Sequence, residues 1–188
     1  ILDLMQKGID VEQSLEANRK LSKINTIVPM YNMLCGVPTE TVQDLEETGK
    51  FMLRLVEENP NCIIYAPNKL VPYPGGEAFK IAVENGYIAP KSPEDWKVSD
   101  QEGEIYQPWY TPTSNQYIRM LQLSTYAISN WERYLTNYPL WLRILYRVLK
   151  SIYKPIAKFR LSYCVSDFLI EYPLFCFARK IMTKGGET

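Results

Sequence analysis

Hydrophobic and polar positions change period along this chain, and the changes mark its elements. Val11 to Lys23 carries Val11, Leu15 and, less regularly, Leu21 on one side with charges elsewhere, which predicts an amphipathic helix. Gly8 separates it from a preceding helical stretch, Leu2 to Lys7. Asn25 to Cys35 is β-branched and apolar, the pattern of a strand buried in a parallel sheet, and it stops at Gly36-Val37-Pro38. Thr41 precedes Asp44 by three residues, a helix start, and the helix runs through Leu45, Phe51, Met52, Leu55 and Val56 to Asn59-Pro60. Cys62 to Val71 predicts a second strand, closed by Pro72-Tyr73-Pro74-Gly75-Gly76. Glu77 to Asn85 then reads as a short helix ended by Gly86.

Helix, strand, helix, strand, helix is the order of βαβ units in a parallel sheet or barrel. In such folds the loops after the strand C-termini form the active face, where both the Gly36-to-Thr41 and Pro72-to-Gly76 loops fall. Two strands cannot close a barrel, so the rest of the sheet is expected upstream of residue 1. The first residue is Ile and the chain opens inside a helical stretch. It is expected to be a piece of something longer.

The second half changes character. Pro90, Pro93, Pro108 and Pro112 mark a connecting segment, after which Ser114 to Tyr134 and Leu140 to Phe159 show helical periodicity, with breaks at Pro139 and Pro173. In Leu140 to Phe159 the cations Arg143, Arg147, Lys150, Lys154 and Lys158 form one stripe and Leu142, Ile144, Leu145, Val148, Leu149, Ile152, Ile156 and Phe159 a broad apolar side. Pro155 should kink this helix or begin a new one.

Composition narrows the chemistry. The 188 residues are 46% apolar and 22% charged with zero net charge, which excludes a disordered tail, a collagen-like repeat and a disulfide miniprotein. Residues 1–116 hold 10 Lys/Arg and 17 Asp/Glu, a net −7; residues 117–188 hold 11 and 4, a net +7. Two such regions have different surroundings or attract each other. No run approaches the ~18 apolar residues of a spanning helix, and no signal peptide is visible. Cys35, Cys62, Cys164 and Cys176 lack metal-loop spacing and read as small apolar groups in a reducing cytosol. There is no histidine, which removes the commonest general base and metal ligand. Any catalysis must depend on something borrowed.

Gly36-Val37-Pro38-Thr39-Glu40-Thr41, followed by Asp44-Leu45 and Thr48, resembles the Gly-Leu-Pro-Gly-Glu-Thr, Asp, Thr run of radical S-adenosylmethionine enzymes. Asn59-Pro60, Pro72-Tyr73-Pro74-Gly75, Ala82, Gly86-Tyr87, Pro90 and Trp96 come next, as in the subgroup that carries an N-terminal cobalamin-binding domain. The resemblance covers roughly residues 1–100. Two positions depart from it: Thr39 stands where Gly is usual, and Gly76 where Thr is usual.

The resemblance implies an α/β fold, the last strands of a partial (β/α)6 TIM-like barrel in residues 1–104, followed by an α-helical C-terminal extension in residues 105–188. It implies an Fe–S oxidoreductase or methyltransferase that cleaves S-adenosylmethionine to a 5′-deoxyadenosyl radical, with cobalamin in the full-length protein. The Cys-x-x-x-Cys-x-x-Cys motif that holds the [4Fe-4S] cluster is missing here, as is a cobalamin domain. The fragment alone is therefore expected to bind no cofactor, to be inactive, and to rely on the upstream barrel and cobalamin domain of its parent.

Asn32 and Leu34 match the positions beside the adenosine of S-adenosylmethionine and, two apart, share a strand face. A buried Asn there needs partners, from a ligand or a turn. Gly36, Pro38, Thr39 and Glu40 are assigned with them to cofactor binding, and Pro72 and Tyr73 to substrate, a small molecule or lipid. The Gly36 segment can also be a plain strand-to-helix turn, Glu40 a favourable charge at a helix N-terminus, and Tyr73 a packing residue. No residue is assigned to catalysis or to metal. The basic helix, with Trp141 and Tyr153, can lie on an anionic membrane, but the expectation is a helix packed on the barrel with a solvated cationic edge. A stripe without a reading motif does not indicate nucleic acid. The expected location is the cytoplasm, with a peripheral membrane position open. The alternative function is a helical interaction or membrane-surface docking module without catalysis.

Overall fold

Helix α1 (Val11–Ser22), strand β1 (Met30–Cys35), α2 (Val42–Glu58), β2 (Ile63–Lys69) and α3 (Glu77–Glu84) occur in the order the periodicity predicts. They belong to a computed structural model that describes residues 8–96, 107–167, 169–173 and 175–176. β1 and β2 pair in parallel, from Met30 opposite Ile63 to Cys35 opposite Lys69. The Gly36 and Pro72 loops therefore leave the sheet at the same end. Among the described residues the sheet has these two strands alone, so the far edge of β1 carries no strand.

β1 is shorter than its apolar run. The Ile27 amide donates to the Ile24 carbonyl at 3.1 Å, a turn that takes residues 24–27 out of the ladder and leaves both isoleucines exposed. α2 begins as its sequence requires. The Thr41 hydroxyl accepts from the Asp44 amide and the Asp44 carboxylate accepts from the Thr41 amide, a reciprocal cap. Asp10 and Gln13 close α1 in the same way.

The expected helix Ser114 to Tyr134 is two elements, α4 (Pro112–Ile128) and a 3-10 turn (Trp131–Leu135). The reason lies on β2. At Ser129 the chain becomes extended, and the Asn130 amide and Trp131 indole donate to the carbonyls of Cys62 and Ile64, both at 3.1 Å. Gln122 of α4 donates to the Pro67 carbonyl at 3.0 Å. Three outward carbonyls of β2 are thus satisfied by one continuous segment, and continuing the helix would orphan two of them.

Helix α5 (Leu140–Tyr163) is longer than expected and runs through Pro155 without ending. The carbonyl of Ser151, which loses its usual donor to Pro155, lies on an exposed residue where water can replace it. Cys164 ends the helix at φ 57°, with the Val165 amide on the Arg160 carbonyl at 3.0 Å.

One core joins all of this. Leu15 of α1, Cys35 of β1, Met52 of α2, Ile64 of β2, Leu121 of α4 and Leu161 of α5 belong to a single buried cluster. Residues on both sides of the expected 104/105 boundary contribute to it, while the boundary itself lies outside the described residues. Gly49 of α2 lets α4 and α5 approach closely, since a Cβ there would come within 3.1 Å of Leu121 and 3.2 Å of Leu161.

Buried Asn18 ties three elements. Its Nδ2 donates to the Leu55 carbonyl and its Oδ1 accepts from the Tyr31 hydroxyl, both at 2.9 Å. Asn18→Ala leaves both partners without this contact, and we expect a loss of about 2–3 kcal/mol in urea unfolding. Tyr31→Phe, which removes one bond only, should cost about 1 kcal/mol.

Candidate functional site

Strand alternation divides β1 into two faces. Tyr31, Met33 and Cys35 turn toward the helices, whereas Met30, Asn32 and Leu34 turn away. β2 obeys the same rule up to Tyr65, which is exposed beside Asn32 in the register. Between Asn32 and Leu34 the pairing slips by one residue, so that β2 spends Ala66 and Pro67 opposite Met33. Such a bulge reverses the parity of the residues beyond it. It brings Asn68 onto the same face as Asn32, and the Asn68 amide donates to Asn32 Oδ1 at 2.9 Å.

Asn32 is exposed, not buried as its apolar neighbours suggest: Trp131 and Tyr134 cover this face at Tyr65 and Met30, and Asn32 lies beyond their reach. Its partner is neither a turn nor its own strand but Asn68, which sequence reading missed. Pro67 was the available signal, since a proline inside a strand marks an edge or a bulge. The result is a short row of Asn32, Leu34 and Asn68 presenting amide and aliphatic groups outward.

The Gly36 loop has a different character. Gly36 adopts φ 73°, and a Cβ there would overlap the Tyr110 hydroxyl and ring. Its amide donates to Glu40 Oε2 at 2.5 Å and its carbonyl accepts from the Trp109 indole at 3.0 Å. Gly36 and Pro38 are buried, and the polar backbone of Gly36 is spent inside the protein. Sequence reasoning missed Trp109 and Tyr110, which lie next to the connecting prolines; two adjacent aromatics there were the sign of a packed segment.

Glu40 is not the helix charge that its position suggests. It precedes the Thr41 cap and curls back onto Gly36, while Asp44 serves the helix N-terminus. Its Oε1 is buried without a hydrogen-bond partner, as is the Tyr110 hydroxyl. Burial pushes the Glu40 carboxyl up to about 7, against the lowering effect of the Gly36 amide. The same burial, with the Glu40 charge nearby, raises the Tyr110 phenol.

The two departures from the family pattern have local consequences. Thr39 sits at φ 72°, a left-handed conformation that a β-branched residue adopts only under strain and that glycine adopts freely. Gly76 occupies the N-cap of α3 with no side chain to accept from the first turn, which is what a threonine would do. Pro72 is buried, and Tyr73 is exposed and stacked on Trp96 with ring centroids 5.4 Å apart. Asn32, Leu34 and the two loops thus share one end of the sheet, but Gly36 and Pro38 present no surface there.

Cys35 and Cys62 are fully buried, and burial raises both thiols, Cys62 to about 12. Cys164 and Cys176 are half-buried. Among the described residues there is no group of three or more His, Cys, Asp or Glu that could hold a metal ion. Comparison with known proteins adds nothing to this geometry: no family model, no curated protein and no solved structure matches the chain.

Thr39→Gly should stabilise the fold by about 1 kcal/mol, read as a raised urea midpoint, because the relieved strain exceeds the added freedom of the unfolded chain. Glu40 gives a pH signature. A carboxyl whose folded pKa is raised holds its proton more tightly when folded, so stability falls as pH rises from about 4.5 to about 7 and then levels. Glu40→Gln keeps an acceptor for Gly36 and should flatten this segment of a stability-against-pH series.

Proposed function

We propose that the chain forms the C-terminal portion of a radical S-adenosylmethionine enzyme of the cobalamin-binding subgroup. The reaction class is Fe–S oxidoreductase or methyltransferase chemistry through a 5′-deoxyadenosyl radical, on a small-molecule or lipid substrate, in the cytoplasm. Cluster and cobalamin belong to upstream parts of the parent; this chain supplies one wall of the ligand cavity and no catalytic group.

The observation that carries the reading is the asymmetry of the sheet. The outer edge of β2 is sealed by Gln122, Asn130 and Trp131, while among the described residues the edge of β1 carries no strand and, on the sheet face, Asn32 and Asn68 are exposed with Leu34 half-buried beside them. Parallel strands are ordinarily covered on both faces and belong to larger sheets. Two parallel strands closed on one side only are the expected end of a barrel. Exposed amides on the inward face suit a purine edge, which needs both donors and acceptors. Thr39 and Gly76 depart from the family's usual residues, and each leaves a local defect, a strained φ and an N-cap without a side-chain acceptor.

The decisive experiment expresses the complete reading frame anaerobically. It should contain Cys-x-x-x-Cys-x-x-Cys upstream and convert S-adenosylmethionine to 5′-deoxyadenosine, and Asn32→Leu should lower that turnover at least about tenfold by removing one ligand hydrogen bond. The 188-residue chain alone, reconstituted with iron and sulfide, should show no absorbance near about 400 nm. A parent frame without the cysteine motif, or a stoichiometric cluster on this chain, sinks the proposal.

A further inference from the structure

Helix α5 is docked by its polar side. The Tyr146 hydroxyl donates to the Tyr126 carbonyl at 2.6 Å and the Tyr153 hydroxyl to Glu171 at 2.8 Å. Arg160, itself buried, donates to the Asp167 carbonyl and meets Glu171, both at 3.0 Å. Of its apolar groups Ala157 and Leu161 are buried in the core, and the ring of Tyr153 packs against it. The cations also turn back onto the protein: Arg147 and Lys150 reach Glu132 at 2.8 and 3.5 Å, and Lys158 reaches Glu57 at 3.0 Å.

The apolar side faces outward, opposite to the expected packing. Trp141, Leu145, Val148, Ile152, Phe159 and Tyr163 recur at three- and four-residue steps or their sum, so they line one face over the whole helix. All six are exposed, Trp141 at 64%, Ile152 at 62% and Tyr163 at 71%. Six large side chains in one row far exceed the scattered exposure normal for a protein surface.

Charge decides what can cover this row. The 24 residues of α5 hold six Lys or Arg and no Asp or Glu. Glu132, Glu57 and Glu171 already pair four of these cations, which leaves Arg143 and Lys154 without an acid among the described residues, and a copy of α5 would bring them none. A bilayer with anionic headgroups is complementary to both features. The apolar row enters the acyl boundary, Trp141 and Tyr163 sit at its two ends as interfacial aromatics do, and the cationic border meets headgroups. Among the described residues no helix is long and apolar enough to cross a membrane, so a membrane-bound α5 would lie in the plane of the surface.

We propose that α5 is an in-plane docking helix for an anionic lipid surface, with Trp141, Val148 and Ile152 inserted and Arg143 and Lys154 at the headgroups. This is independent of the radical chemistry and of any ligand at Asn32.

The test is co-sedimentation of the 188-residue chain with phosphatidylcholine vesicles, with or without phosphatidylglycerol, at low and high salt, beside sedimentation velocity without lipid. We expect a monomer that binds the anionic vesicles, with affinity falling at least about tenfold in high salt. The double variant Val148→Ser, Ile152→Ser should weaken binding by a similar factor while keeping its circular dichroism and Tm, because both side chains are exposed. Arg143→Gln with Lys154→Gln should reduce the salt dependence. Absence of anionic binding overturns the proposal, as does a lipid-free dimer that the serine variant dissolves. A large drop in Tm for that variant overturns it too, since it would place those side chains inside the protein.

Discussion

The row of donors along β2 is the constraint on which most of this structure depends. A parallel strand with an open edge leaves carbonyls that water or another chain must satisfy. Here Gln122, Asn130 and the Trp131 indole take those of Pro67, Cys62 and Ile64. To reach them the chain must run α4 beside β2 and break the helix at Ser129. That placement sets Leu121 against Gly49 of α2 and gives α5 a surface to dock on. Pro67 contributes twice: it has no amide to offer the ladder, and its bulge turns Asn68 onto the face of Asn32.

The loop after β1 shows how tightly the other end is closed. Gly36 has its amide on Glu40, its carbonyl under Trp109 and Tyr110 over the space a side chain would need. A loop so occupied is a packed joint between strand and helix. The groups that a ligand could still meet are Asn32, Leu34 and Asn68 on the sheet, with Tyr73 at the rim. Strain at Thr39 and the desolvated Glu40 carboxyl are local costs that the surrounding core offsets.

Much of the first half was legible because local rules act alone there. Caps at Thr41 and Asp44, the turn at Gly36 and the apolar runs of β1 and β2 each specify their neighbours directly. What local pattern could not show was contact across the chain. The break at Ser129 results from carbonyls more than about sixty residues away, whose donors no helix could supply. Asn32 is exposed because the cover from Trp131 and Tyr134 stops at Tyr65 and Met30. Periodicity separates the two sides of a helix but does not say which of them faces inward. For α5 the answer came from particular polar atoms, the hydroxyls of Tyr146 and Tyr153 and the guanidinium of Arg160, each meeting a partner that the sequence leaves far off or ambiguous.

The two exposed surfaces differ in what they can select. On the sheet, paired amides fix directions and distances, so a group without matching donors and acceptors would leave them desolvated and unpaired. Such a surface discriminates between ligands. On α5 the exposed groups are aliphatic and aromatic, and their gain scales with area removed from water, with no preferred orientation. Its bordering cations add attraction without geometry, and Glu132 and Glu57 already hold three of them in place. Directional amides on the sheet and undirected apolar area on α5 thus lie on separate surfaces that share no residue.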